Sequence, residues 1–432
     1  MMRPTNVGVA WPLAAMRGAT RPVPAQAGRC HATPTSGFSW PRGRGHATRS
    51  CGRAVLACLT VLCVVALVCG CQASRAAALD KARAILPRAL ESSEPAMKAL
   101  ALEIYRDLLQ AFPESQRDSP DVLFAPADKL NLLLADEKPS VRFTTLVLKA
   151  EQALPTDRPR FEQSFREESD ASVRLAAVYG LARLGDFRYM NFLAEGLAAQ
   201  DDVQRRNAAM ILGLLGHKSA AGMLKERLGD PDPVVRLNVA ESMARLGDFS
   251  GVPAVRAVAR DTQSPLAVNA ILVLGRIGTP GEDIKLLRDV EAGRAPSGGA
   301  ARLAAFGARA QLGDYTQIQP VIEVAEGKDI ARGFGAPERA FALQLLARAS
   351  YGPAWREASA CLDDGDPYVR LSAAWAMLSF HTPRAEKVFR TANSPERPKA
   401  LSEREILRPK PPAETGGAPM PGPLTPVAPR SR

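Results

Sequence analysis

His31, His46, His217 and His381 are the only imidazoles in the chain, and they stand too far apart for a zinc-ligand pair. His217 takes the place of the Asp that follows a closing glycine in Gly185-Asp186 and Gly247-Asp248, so it reads as a turn residue. His381 falls where such a glycine would stand, and both read as solvated helix-end histidines. Of seven cysteines, Cys51, Cys58, Cys63, Cys69 and Cys71 lie in or beside one apolar run, Cys30 lies upstream, and Cys361 is alone. That distribution builds neither a disulfide framework nor a paired-cysteine metal site. No phosphate loop or nucleophile elbow is present. The glycine-rich PSGGAARLAAFG has no strand before it and reads as a turn opening a helix. These absences predict a chain that is not an enzyme and has no cofactor or metal.

The recurring charged pattern is Asp followed by Arg four residues on: Asp170/Arg174, Asp201/Arg205, Asp232/Arg236 and Asp366/Arg370. An Asp before a proline, as in Asp232-Pro233 and Asp366-Pro367, is a capping carboxylate ahead of a first-turn proline whose missing N–H does no harm. The Arg four residues later falls on the neighbouring turn of the same helix. Such pairs position helices and perform no reaction, so the elements they start come next.

Four segments align without gaps and end at Gly185, Gly216, Gly247 and Gly278, each 31 residues after the last. Their apolar columns recur in step: Leu181, Leu212, Met243 and Leu274; Leu184, Leu215, Leu246 and Ile277; Ala177, Ala208, Val239 and Ala270. Within one unit, Val173, Ala177, Val178, Leu181 and Leu184 form a single helical face. The closing glycine supplies a left-handed cap. A second helix fills each interval: FRYMNFLAEGLAA, KSAAGMLKERL, GVPAVRAVA and EDIKLLRDVE. Looser units follow the same plan at 137–152, 298–314, 336–352 and 365–380.

This pattern resembles the short HEAT-like repeats of bacterial proteins, the class first recognised in phycobilisome lyases. The period lies below the roughly 40–47 residues of longer HEAT units. The resemblance implies an all-α fold, a curved right-handed α-solenoid of stacked helix pairs, over residues 137–382. It also implies that the Asp/Arg positions form a ladder between adjacent repeats. Residues 71–136 read as an irregular helical cap over the first repeat. Residues 383–432 are Pro-rich, with almost no large apolar side chain, and read as a disordered extended tail. HEAT-like hydroxylases hold iron with paired His-Glu motifs, but here Lys218 follows His217 and Thr382 follows His381.

The 432 residues carry a formal net charge of +11, yet residues 1–70 hold eight Arg and no acid, and residues 383–432 hold ten basic against five acidic side chains. Residues 71–382 are left with 38 basic and 40 acidic residues. A nucleic-acid surface needs a basic stripe on the folded part, so no nucleic-acid partner is expected. Of all residues, 46% are hydrophobic and only 6% aromatic, so Ala, Leu and Val must supply the packing.

At the amino terminus, Arg49 and Arg53 precede an uncharged run from Ala54 to Gly70, and then Cys71. Val68-Cys69-Gly70-Cys71 resembles the lipobox of bacterial lipoproteins, whose signal peptide is removed before an acylated cysteine. The resemblance implies lipidation at Cys71, with residues 1–70 as leader; residues 1–48, Arg-, Pro- and Gly-rich and too long for an ordinary leader, read as an upstream start assigned in error. The alternative is an uncleaved anchor, although a membrane span takes about 20 apolar residues. In either case the remainder would be lodged in the bacterial cell envelope, membrane-anchored and facing away from the cytosol.

Away from the core columns, the helical wheel places Tyr179 and Arg183 and their later equivalents. One row is Arg183, Arg245 and Arg276, interrupted by Leu214; a boundary row is Asn207, Asn238 and Asn269. Two readings stand for these rows. They are structural, as an amide ladder and as cations at helix carboxyl ends, or they line a concave face that binds an acidic or extended protein segment. The function expected is a membrane-anchored scaffold for a cell-envelope protein. The alternatives are a lyase- or chaperone-like groove for a small molecule or chromophore, and a structural envelope spacer.

Overall fold

The computed structural model describes residues 74–261, 264–292, 298–328 and 334–385, and among them every regular element is helical. The leader, the lipobox and the tail beyond residue 385 lie outside the described residues. From Leu79 onward the described chain falls within one unit of a two-unit division.

The first helix covers residues 74–89 (α1). It is followed by α2 (Pro95–Gln110), α3 (Ala127–Leu133), α4 (Pro139–Gln152), α5 (Arg158–Glu167), α6 (Ala171–Arg183), α7 (Met190–Leu197), α8 (Asp202–Leu215) and α9 (Ala221–Lys225). The second half comprises α10 (Pro233–Arg245), α11 (Val252–Arg260), α12 (Ala267–Ile277), α13 (Glu282–Ala292), α14 (Gly298–Gln311), α15 (Gln319–Glu326), α16 (Ala336–Ala349), α17 (Trp355–Ala360) and α18 (Pro367–Ser379). Each even-numbered helix from α4 to α18 packs on the odd-numbered helix before it, and each even-numbered helix packs on the next even one. This is the stacked-pair plan of an α-solenoid.

The caps follow the sequence closely. Asp170 accepts from Val173 N at 3.1 Å, Asp201 from Gln204 N at 2.8 Å, and Asp232 from Val235 N at 2.8 Å. Asp366 accepts from both Tyr368 N and Val369 N. Two columns form the core, with Ala177, Ala208, Val239 and Ala270 fully buried, as are Leu181, Met243 and Leu274; in the third, Leu246 and Ile277 are buried but Leu184 and Leu215 are half-buried. Gly185, Gly216 and Gly247 take the left-handed conformation. Gly278 departs from that expectation with φ −73°. Glycine is required there by space instead, since a Cβ would sit 2.4 Å from Leu274 O and 2.9 Å from Asp283 Oδ2.

The Asp/Arg pairs are arranged differently from the spacing argument. The capping Asp is committed to backbone N–H groups, and in three of the four pairs the Arg turns back to two carbonyls ahead of its own helix, while Arg174 lies over the Phe192 ring. Arg205 donates to Ala199 O and Gln200 O, Arg236 to Asp230 O and Pro231 O, and Arg370 to Asp364 O and Gly365 O. The ladder to the next repeat uses a second acid, two residues before the next cap. Arg142 forks onto Glu168 with both bonds at 2.8 Å, Arg205 onto Asp230 at 2.8 and 3.0 Å, and Arg339 reaches Asp364 at 2.7 Å. Those acids also accept from the backbone N of the following cap residue: Asp170, Asp232 and Asp366. One carboxylate therefore fixes both the turn and the neighbouring repeat.

The row does not remain an open curve. α18 packs against α2, so the first and last even-numbered helices meet and the even helices form a closed ring, with the odd helices outside it. Trp375 Nε1 donates to Asp107 Oδ2 at 2.9 Å, Arg384 Nη1 to Asp107 Oδ1 at 3.1 Å, and Tyr368 Oη to Glu94 at 2.8 Å. The stretch read as a terminal cap thus contributes α2, an inner helix of the ring.

Candidate functional site

Two residues before the closing position stand Glu151, Arg183, Leu214, Arg245, Arg276 and Arg348. Ala153 (φ 51°) and Ser350 (φ 49°) occupy the same closing position as the glycines and share their left-handed backbone. Four positions earlier, one helical turn inward, are Val147, Tyr179, Met210, Glu241, Leu272 and Gln344.

Of Arg183, Arg245 and Arg276, the last two are brought together on the Glu241 carboxylate, and Arg183 meets a separate acid, Glu114. The three arginine side chains are 20%, 30% and 23% exposed, and each meets a carboxylate. Arg183 Nη2 donates to Glu114 at 3.1 Å. Arg245 donates to Glu241 Oε1 at 3.0 Å, and Arg276 forks onto both Glu241 oxygens at 2.8 and 2.6 Å. Burial alone would raise the Glu241 carboxyl, but Arg276 and Arg245 hold it well below the usual carboxylate range. Burial likewise opposes the charge on Arg276, and Glu241 followed by Glu103 more than restores it. Glu103 lies on α2, which is not a neighbour of α12 in the row. Burial pushes the Glu103 carboxyl up against the pull of Arg106, Arg348 and Arg276.

Tyr179 departs from the expectation of an open face. It is 1% exposed, and its hydroxyl donates to Glu151 Oε1 at 2.9 Å, an oxygen that also accepts from Gln110 Nε2 at 3.0 Å. Burial, then the Glu151 carboxylate, keeps its phenol well above the usual range. It is a support for the row, with no contact surface of its own. The Asn row is not drawn into this network. Asn207 is buried, Asn238 and Asn269 are half-buried, and among the described residues no hydrogen bond joins them into an amide ladder. His217 packs edge-on against Phe187 with ring centroids 5.6 Å apart, and burial lowers its imidazole. His381 Nδ1 lies 2.9 Å from Met377 O at the end of α18. Both occupy the helix-end positions read from sequence.

Sequence reasoning missed Glu241, Glu114 and Glu151, the acids that neutralise the row. Glu241 had a visible signal, standing four residues before Arg245 on one helix face. Glu114 and Glu151 approach Arg183 and Tyr179 only through the stacking of α2, α4 and α6, which leaves no local mark. Cys71 lies outside the described residues. Among those residues, no group of three His, Cys, Asp or Glu could hold a metal, and no helix is long and apolar enough to cross a membrane.

A family model described as HEAT repeats matches residues 190–275 and 223–305. Residues 190–305 carry HEAT repeats. Over 87 residues it is 38% identical to the phycocyanobilin lyase subunit alpha of Picosynechococcus sp. (strain ATCC 27264 / PCC 7002 / PR-6). That similarity covers 18% of this chain and 32% of the lyase subunit, about a third of its length. The HEAT match begins at Met190 on α7 and ends within α14, so it falls on the most regular part of the stack.

Proposed function

We propose that this HEAT-repeat chain is a non-catalytic scaffold that is held at a membrane by its amino-terminal segment and binds a protein of the cell envelope. The observation that carries the reading is the row Arg183, Arg245 and Arg276 on the inner helices, each already engaged with a carboxylate. The internal acids mark the chemistry the row accepts. Glu114 is 48% exposed, so an acidic segment of a partner competes with it for Arg183 at little cost, since exposed ion pairs contribute only ~0–1 kcal/mol. HEAT repeats in general mediate protein interactions, which supports a macromolecular partner over a small molecule. The partial likeness to a lyase subunit carries the repeat with it, and the lyase's activity is not transferred. The anchor is proposed from the lipobox-like Val68-Cys69-Gly70-Cys71 and the firm membrane hold that several acyl chains give.

The test has two arms. Intact-mass analysis of the membrane fraction is expected to show a mature chain beginning at Cys71 with added acyl mass, and a different first residue or no lipid mass contradicts the anchor. Crosslinked capture from membranes is expected to return the same partner from the full chain and from a chain lacking residues 383–432. Loss of capture with the tail would move the binding site from the ring to the tail.

A further inference from the structure

The contacts between α2 and α18 join residues far apart in sequence. Between elements adjacent in sequence, close backbone packing accompanies the polar ladder. A Cβ at Gly180 would lie 2.4 Å from the Phe161 ring, and one at Gly213 would lie 2.7 Å from Ser242. At α2 and α18 the helices touch over a short stretch, and the bonds that join them are polar. Asp107 receives three hydrogen bonds from residues 268 to 277 positions away: its two carboxylate oxygens accept from Trp375 and Arg384, and its carbonyl accepts from Arg384 Nη2 at 3.4 Å. Outside this centre, Tyr368 donates to Glu94, and Lys81 pairs with the exposed Asp363. Trp375 is itself buried and has the Arg348 guanidinium 5.2 Å from its ring centroid.

We infer that the α2–α18 seam is a latch, with Asp107 as its keeper, through which the ring opens while its repeats stay folded. Three features place the opening there. It is the one junction between inner helices that no short covalent connection spans. Its bonds exchange for water more readily than a packed apolar junction does, because hydrogen bonds lost to solvent are largely replaced. The charges across it also bear on the interior, since Asp107 and Glu103 on α2 act on Arg348 of α16. A closed ring admits only a free chain end to the Arg183, Arg245 and Arg276 row, whereas an open seam admits an internal segment of a partner. The inference concerns the conformation of the ring and stands whether or not the partner reading does.

The experiment is a distance measurement on the full chain in detergent. Orthogonal labels that avoid cysteine chemistry go at Ser93 and Gly365, exposed positions on the two sides of the seam. The unaltered chain is expected to give one short distance. Asp107→Ala is expected to lose that single population in favour of a longer one, with far-UV circular dichroism unchanged. Should Asp107→Ala lose helix content, the milder Tyr368→Phe/Arg384→Gln chain carries the same prediction: a longer population appears beside the short one. A single short distance in whichever variant remains folded overturns the latch, as does a long population that appears only together with loss of helix.

Discussion

At the scale of the residue, carboxylates carry most of the specification, in two separate jobs. The capping acids hold helix starts, and the acids two residues before them tie one repeat to the next. Asp232→Ala removes a single capping bond to Val235 N and should cost about 1 kcal/mol. Leu246→Ala empties a buried column position and should cost about 2–5 kcal/mol. Denaturant melts that rank Asp232→Ala as the worse of the two would mean that the buried face has been misassigned. Asp186 offers a test by pH. The Arg188 guanidinium, hydrogen-bonded to it, is the main influence holding its carboxyl down at about 2. A depressed folded pKa adds stability that is full above the unfolded value and lost as pH falls through the folded one. Melting temperature should therefore fall between about pH 4 and pH 2, and Asp186→Asn should flatten that part of the profile. An unchanged acid slope in Asp186→Asn would remove Asp186 from the account.

At the scale of the element, the repeat was legible because three signals coincide at fixed spacing: a cap, a column and a closing residue. Where a signal changed identity, it was harder to read. Ala153 and Ser350 adopt the same left-handed turn as Gly185, but neither residue type announces it. Gly278 keeps the glycine and abandons the turn, because close approach to Asp283 has become the constraint. The Asp/Arg spacing was seen, yet the partner was assigned wrongly. An i,i+4 spacing permits a pair, but a capping carboxylate already holding backbone N–H groups has less to offer than a free acid in the adjacent turn. Helix packing yields its own prediction. Gly180→Ala drives a methyl into the Phe161 ring and should cost about 1–3 kcal/mol, in the range of overpacked cores. If Gly180→Ala melts like the unaltered chain, α5 and α6 are not in such close contact.

At the scale of the whole molecule, the stacked helices were legible and the closure was not. Closure depends on the summed curvature of many repeats and on Asp107 meeting Trp375 and Arg384, residues far apart in sequence. It changes the meaning of the predicted row. Arg245 and Arg276 meet on Glu241 and Arg183 meets Glu114, within a ring, among carboxylates of the same chain, and without the Asn row joined to them. Reversing all three charges would confront Glu241 and Glu114 with new acids, so neutral substitutions that spare Arg276 make the cleaner test. The central claim is that this row binds acidic protein segments. The direct measurement is the fluorescence anisotropy of a labelled octaglutamate peptide with the full chain and with Arg183→Gln/Arg245→Gln, beside thermal melts of both. The account predicts salt-sensitive binding by the unaltered chain, weakened tenfold or more in the double variant, with the melts superimposable. Equal binding by the two chains, or no binding by the unaltered one, would contradict it.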